Sequence, residues 1–260
     1  MSRDGALRVL HVDTERTWGG GQRQVHALAT GMERRGHHNW VVARPRTLLA
    51  AALTRDGVPV VPLSPAFEWD PVAVSRLHGW VRRVRADVVH AHAGHAVALS
   101  ALAVAGTPAR LLVTRRVALP LRRNPLSQWK YGRPWRFIAV SERVRNVLCA
   151  GGVGPERISV VHSGVDVERP APPASDTTLR ELGIDPGRPL AVMVSSLVPP
   201  HKDPETFLVA IAAMRGAGCD IQALLVGDGP LARQSERIVR HLGPLPASSG
   251  SKPFSMCRNH

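Results

Sequence analysis

Four segments of this sequence put chemistry-bearing residues where an apolar run hands over to an amphipathic one. In open α/β sheets such positions lie at the carboxyl ends of strands, where ligands sit. The first is Trp18-Gly19-Gly20-Gly21-Gln22. Three bare backbones let a ligand come close, and a helix N-terminus offers free N–H groups to an anion. Gly-rich turns of this kind serve many folds. This one lacks the G-x-G-x-x-G spacing of a dinucleotide site, and the next strand ends at Arg44 rather than an acid, which disfavours an NAD enzyme.

The second segment is Asp87-Val88-Val89-His90-Ala91-His92-Ala93-Gly94-His95. Alternation along a strand points His90 and His92 to one face, with His95 in the loop beyond. Three imidazoles would suit zinc. The blander alternative is a satisfied strand histidine at His90 with His95 capping the next helix, and the absence of a carboxylate or cysteine cluster nearby favours it, so no metal is expected. His92, at the strand end, is a candidate for contact with substrate.

Third is a basic stretch, Thr114-Arg115-Arg116 through Arg122, Arg123, Lys130, Arg133 and Arg136. Arg115 or Arg116 could hold a phosphate by bidentate contacts, while the later cations fit a solvated loop. Trp129, Tyr131 and Trp135 among them could rest on a membrane interface. The fourth comprises two turns, Ser195-Ser196-Leu197 running to Lys202-Asp203, and Val226-Gly227-Asp228-Gly229-Pro230. Lys202 is placed to neutralise a diphosphate, and the glycines suggest a backbone role.

The elements that would carry these turns follow from periodicity. Short apolar runs at Leu7–Val12, Asn39–Ala43, Val58–Pro62, Ala86–His90, Arg110–Thr114, Phe137–Val140 and Ile158–Val161 alternate with helical stretches. That is the pattern of a doubly wound parallel sheet. A polar, Pro-rich linker interrupts it, and a second series follows with strands at Leu190–Ser195 and Ile221–Val226 and helices at Pro204–Ala217 and Pro230–Leu242. The expected organisation is a Rossmann-like domain over 1–170, a linker over 171–188, a partial second domain over 189–243 and a disordered tail over 244–260. Two strands make a half-built sheet, which suggests a truncated second domain.

Composition narrows the setting. Hydrophobic residues make 44% and charged residues 21% of the 260, as in ordinary globular proteins. The net charge of +14 would attract polyanions, yet no nucleic-acid-binding module accompanies it. Three scattered cysteines, no signal-peptide core and no apolar run long enough to span a bilayer point to a cytoplasmic protein with at most peripheral contact at the inner face of the membrane.

In their order and spacing the motifs resemble the retaining glycosyltransferases of family 4 (group 1), which have two Rossmann-like domains of the B type. The residues that carry the resemblance are Leu10-His11-Val12 with Gly19–Gly21, Asp87 through His92, and Phe137-Ile138-Ala139-Val140-Ser141-Glu142. Ile158 through Asp166, Leu197-Val198-Pro199 with Lys202, and Leu225 through Pro230 complete the series. The resemblance implies metal-independent transfer of sugar, with retention, from a nucleotide-diphosphate sugar to a glycan or lipid-linked acceptor, in cell-envelope polysaccharide or lipopolysaccharide synthesis. It places His92 at the transfer site and Lys202 on the departing nucleoside diphosphate. Gly19, Gly20, Gly21, Arg115, Arg116, Ser141, Ser196, Gly227 and Gly229 would bind substrate.

The sequence departs from the family in three places. Ser195-Ser196-Leu197 stands where Gly-Arg-Leu is frequent, with the lysine one residue late. Arginine follows Thr114 in place of histidine. The paired-glutamate motif would fall beyond Leu242, where Glu236 is the last acid. The resemblance therefore leaves a second expectation open, a non-catalytic remnant or acceptor-binding module without donor turnover.

Overall fold

The computed structural model describes residues 5–165, 167, 175–198, 202–227 and 229–241, and the backbone of 254–257. Contacts divide the chain into two units, Met1–Val165 and Asp166–His260.

In the first unit, strands β1 (Arg8–Val12), β2 (His38–Ala43), β3 (Val60–Pro62), β4 (Val88–Ala91), β5 (Arg110–Arg115), β6 (Arg136–Ala139) and β7 (Ile158–Val160) form one sheet in the order β3-β2-β1-β4-β5-β6-β7. Every pairing is parallel. The chain runs outward from β1 to β3, then crosses to β4 on the other side, so β1 and β4 flank the switch point where a crevice opens at the strand ends. Helices α1 (Gly20–Glu33), α2 (Leu48–Arg55), α3 (Pro71–Arg83), α4 (Gly94–Ala103), α5 (Pro125–Gly132) and α6 (Glu142–Ala150) make the crossovers. Because helices cover both faces, the strands are apolar on both sides. Leu10, Val12, Val89, Leu111, Phe137 and Leu148 lie in one continuous core.

Caps set several helix starts. Thr47 accepts from the Ala50 amide, Asp70 from Val72 and Ala73 with Pro71 behind it, and Ser141 from Val144. Helix α5 lies inside the Pro-broken basic stretch, which periodicity leaves as a loop. Asn124 caps it through Ser127, and Pro125 occupies its first turn.

The second unit holds α7 (Asp176–Glu181), β8 (Leu190–Val194), α8 (Pro204–Gly216), β9 (Gln222–Val226), α9 (Ala232–His241) and β10 (Phe254–Cys257). Its parallel sheet runs β10-β9-β8. Residues 254–257 are therefore not part of a disordered tail. They pair along β9, where backbone ladder bonds order a segment too short to show a pattern in sequence. The rest of 244–260 lies outside the described residues. Among the described residues, no helix is long and apolar enough to cross a membrane.

Candidate functional site

Across the switch point a row of polar side chains occupies one face of an otherwise apolar sheet. His11 on β1 is in register with His90 on β4, and Asn39 on β2 lies two residues before His11's neighbour Val41. Period-two alternation brings His92 to the face of His90, and Thr114 and Arg116 to the face of Leu112, the partner of His90. His11, His90, His92 and Asn39 are all buried.

Hydrogen bonds connect the row. His11 Nε2 lies 3.1 Å from Asn39 Oδ1, and His11 Nδ1 lies 3.0 Å from His92 Nε2. Arg116 donates from one terminal nitrogen to the His92 carbonyl at 3.2 Å and meets His92 Nδ1 with the other at 3.3 Å. His90 Nε2 lies 2.7 Å from Thr114 Oγ1, and its ring packs on that of His92 with centroids 3.9 Å apart. Burial pushes the His11 imidazole down from 6.5 to about 4, partly offset by Asn39. Burial also holds His90 and His92 well below the ordinary imidazole range, helped by His11, by His90 in the case of His92, and by the charge of Arg116. Arg116 is drawn down by burial, which the carboxylate of Asp13 opposes.

The glycine segment borders this row. Gly19 is the N-cap of α1, and Gly20 and Gly21 are its first two residues. A Cβ on Gly20 would meet nothing, whereas one on Gly21 would touch Arg116 Cδ at 3.6 Å. None of the three glycines needs a positive φ. Their contribution is bare, accessible backbone at a helix start without a side-chain cap. Gln22 fixes the turn: its Oε1 accepts from the Gly19 amide at 3.1 Å and its Nε2 donates to Asp13 Oδ2 at 3.1 Å. On the other side of α1, Gln24 exchanges two hydrogen bonds with the backbone of Gly164, tying the exit of β7 to the same helix.

The remaining predicted residues are more scattered. Arg115 turns to the opposite side, where it donates to Tyr131 Oη at 3.0 Å and to the Leu119 carbonyl. Ser141 spends its hydroxyl oxygen on capping α6. His95 does not cap α4, whose N-cap is Ala93. Its Nδ1 lies 3.5 Å from Glu15 Oε1. Of the three aromatics in the basic stretch, Tyr131 is buried, Trp129 packs on Trp69, and Trp135 is 47% exposed beside Arg110 and Arg136.

In the second unit, Ser196 and Lys202 are exposed, and Lys202 lines a cavity of about 210 Å³ with Asp203, Glu205 and Gln234. Gly227 and Gly229 have φ of +150° and +148°. A Cβ on either would collide with the carbonyl oxygen of Ser195 or of Leu197, so the turn after β9 nests directly on the turn after β8.

Sequence reasoning does not single out His11 outside the family motif, gives Gln22 no role of its own in the glycine segment, and misses Asn39, Asp13 and Gln24. The available signal was parallel register, which pairs a polar residue in β1 with one in β4. Among the described residues, the histidines that come together are not the His90, His92 and His95 considered from sequence. Donor atoms of His11, His90 and His92 lie within 4.8 Å of one another, close enough to share an ion. However, the nitrogens of His11 and His92 are already hydrogen-bonded, and a guanidinium stands against His92.

No curated protein matches the chain. Among solved structures, it is similar to a glycosyltransferase from Rickettsia africae (TM-score 0.77, 18% identity), covering 98% of this chain and 69% of that one. Anabaena HepE, solved with UDP and glucose, gives a TM-score of 0.76 at 16% identity over 98% of this chain and 70% of its own. The lipopolysaccharide outer core galactosyltransferase WaaB gives 0.65 at 13% identity, with coverage of 96% and 67%. At these identities the likeness is one of fold, that of B-type glycosyltransferases. Family membership rests on sequence: the Glycosyltransferase Family 4 pattern matches residues 18–169, more than half the chain, and the chain belongs to that family.

Proposed function

We propose that this protein transfers a sugar, with retention, from a nucleotide-diphosphate sugar to a glycan or lipid-linked acceptor of the cell envelope. One observation carries the reading: Arg116 stands beside the uncapped, glycine-lined start of α1 at the switch point. Of its five N–H groups, two are spent on His92, leaving donors for an anion. Helix N–H groups and a guanidinium together suit the charge that develops on a diphosphate leaving group. Gly19, Gly20 and Gly21 are then the approach surface and Arg116 the phosphate ligand, with His92 acting through Arg116.

For the second unit, taken by itself, the family resemblance supports Lys202 as the cation for a departing nucleoside diphosphate. Ser196, Gly227 and Gly229 shape its turns. UDP and UDP-glucose bound to Anabaena HepE support a uridine donor. Transfer without a metal is supported by His11 and His92, whose ring nitrogens already serve as hydrogen-bond partners. The net charge of +14 supports work at an anionic membrane surface on the cytoplasmic side.

The test is binding and turnover with a panel of UDP- and GDP-sugars, on the wild type and on Arg116→Ala and Arg115→Ala. Arg116→Ala should lose at least tenfold in affinity for UDP, and Arg115→Ala, at equal folded content, much less. Equal losses from both would defeat the assignment, and binding without transfer to any acceptor would make the protein a binding module.

A further inference from the structure

The imidazole row has only one consistent assignment of protons, and it can be reached from either end. At one end Arg116 can only donate, so His92 Nδ1 must be bare, and a neutral His92 then carries its proton on Nε2. That proton points at His11 Nδ1, which must accept it, leaving the His11 proton on Nε2 and directed at Asn39 Oδ1.

At the other end, Asn39 Nδ2 lies 3.2 Å from both Glu33 Oε1 and the His37 carbonyl, two acceptors. This fixes the amide so that Oδ1 faces His11 and must receive a proton from it. The two derivations meet without conflict. The chain runs one way, from Arg116 through His92, His11 and Asn39 to Glu33, with every proton directed toward the solvent-facing carboxylate at the end of α1.

We infer that His11 is a positioning residue: by accepting from His92 Nε2 it holds the His92 ring so that its Nδ1 lone pair anchors the Arg116 guanidinium beside the start of α1. The chemistry served is the binding of a nucleoside diphosphate, and to that extent the inference rests on the function proposed above. His11 itself is fully buried, so it would act through His92 rather than on a ligand.

Two conservative substitutions separate positioning from packing. In His11→Asn, the side-chain oxygen takes the place of Nδ1 and still accepts from His92, while the link to Asn39 is lost. In His11→Gln, the amide reaches the place of Nε2 and keeps Asn39, while the link to His92 is lost. Glutamine is nearer to histidine in volume, so a residue that merely fills space predicts Gln as the better replacement.

Positioning predicts the reverse. In calorimetry with UDP and with inorganic pyrophosphate, His11→Asn should stay within threefold of wild type and His11→Gln should lose tenfold or more. Thermal unfolding would show that both remain folded. Nitrogen NMR of the wild-type chain at neutral pH should find both His11 and His92 protonated at Nε2. The Arg116 side-chain N–H signals should be sharp and slowly exchanging in wild type and His11→Asn, but broadened in His11→Gln.

A proton on Nδ1 of either histidine, or an Arg116 signal indifferent to both substitutions, would overturn the inference. So would a Gln variant that binds as well as wild type while the Asn variant does not. If wild type binds neither UDP nor pyrophosphate, the proposed function fails alone, and the Arg116 signals still decide whether His11 positions it.

Discussion

In the first unit the central strands are closed on both sides: Leu10, Val12, Val42 and Val89 have no exposed surface. In the second, β8 carries Val192 and Val194 at 50% and 71% exposure, and its buried cores are two small clusters around Leu208 and Leu197. The two share an architecture of parallel strands and crossover helices, yet differ in how much apolar surface each strand removes from water. Hydrophobic stabilisation scales with that surface, so the first unit can afford a buried polar row at its centre. The second has no comparable reserve, and its described buried polar side chains, Arg215, Gln222 and Ser235, bond to backbone groups rather than to one another.

The largest expected effect bears directly on that contrast. Leu148→Ala should cost the first unit about 3 kcal/mol through lost burial and the cavity left behind. Val194→Ser in the second should stay within about 0.5 kcal/mol. Amide exchange over 5–165 and over 175–241, followed separately, would measure both, and a comparable cost from Val194→Ser would break the comparison.

Acid should sharpen it. His11, His90 and His92 are all in the first unit and stay neutral where an unfolded chain would already protonate them. The unfolded state therefore binds more protons below 6.5 and, for His11, down to about 4. The stabilising contribution is whole above that window and is lost as pH falls through it, at up to about 1.4 kcal/mol per pH unit for each histidine. Urea unfolding at pH 7.5, 6 and 5 should show this slope in the first unit, which holds all three of these buried histidines.

Two glycine substitutions should act with opposite signs. Gly227→Ala forces a Cβ into the Ser195 carbonyl at φ +150°, and should destabilise the second unit by about 2 kcal/mol. Gly20→Ala meets open space in a helical turn and should stabilise the first by up to about 1 kcal/mol. Its effect on UDP binding, measured by calorimetry, then reports whether bare backbone is needed for approach.

Helices α2 and α6 fall among the helical stretches expected between strands, and Thr47 and Ser141 cap them. Helix α5 was not, since arginines and prolines hid it, although Asn124-Pro125 is itself a start signal. The Gly-rich turn and the His90–His92 strand end were visible as candidate site residues. What they contact was not: His11 is one polar residue in an apolar strand, and its partners lie 28 and 81 positions away in sequence. Alternation told that His90 and His92 share a face, but only parallel register shows that β1, β2 and β5 contribute to the same row.

The one-way row of protons also constrains how this protein can diverge. Each link uses a donor and an acceptor with no spare group to take over, so replacing one member strands its neighbour in the core. His11, Asn39 and His92 should therefore be inherited as a set among descendants, kept together or exchanged together for an apolar trio. A lineage that loses the acceptor for His92 Nε2 should be found to have released Arg116 as well, whereas one that breaks only the link to Asn39 should keep it.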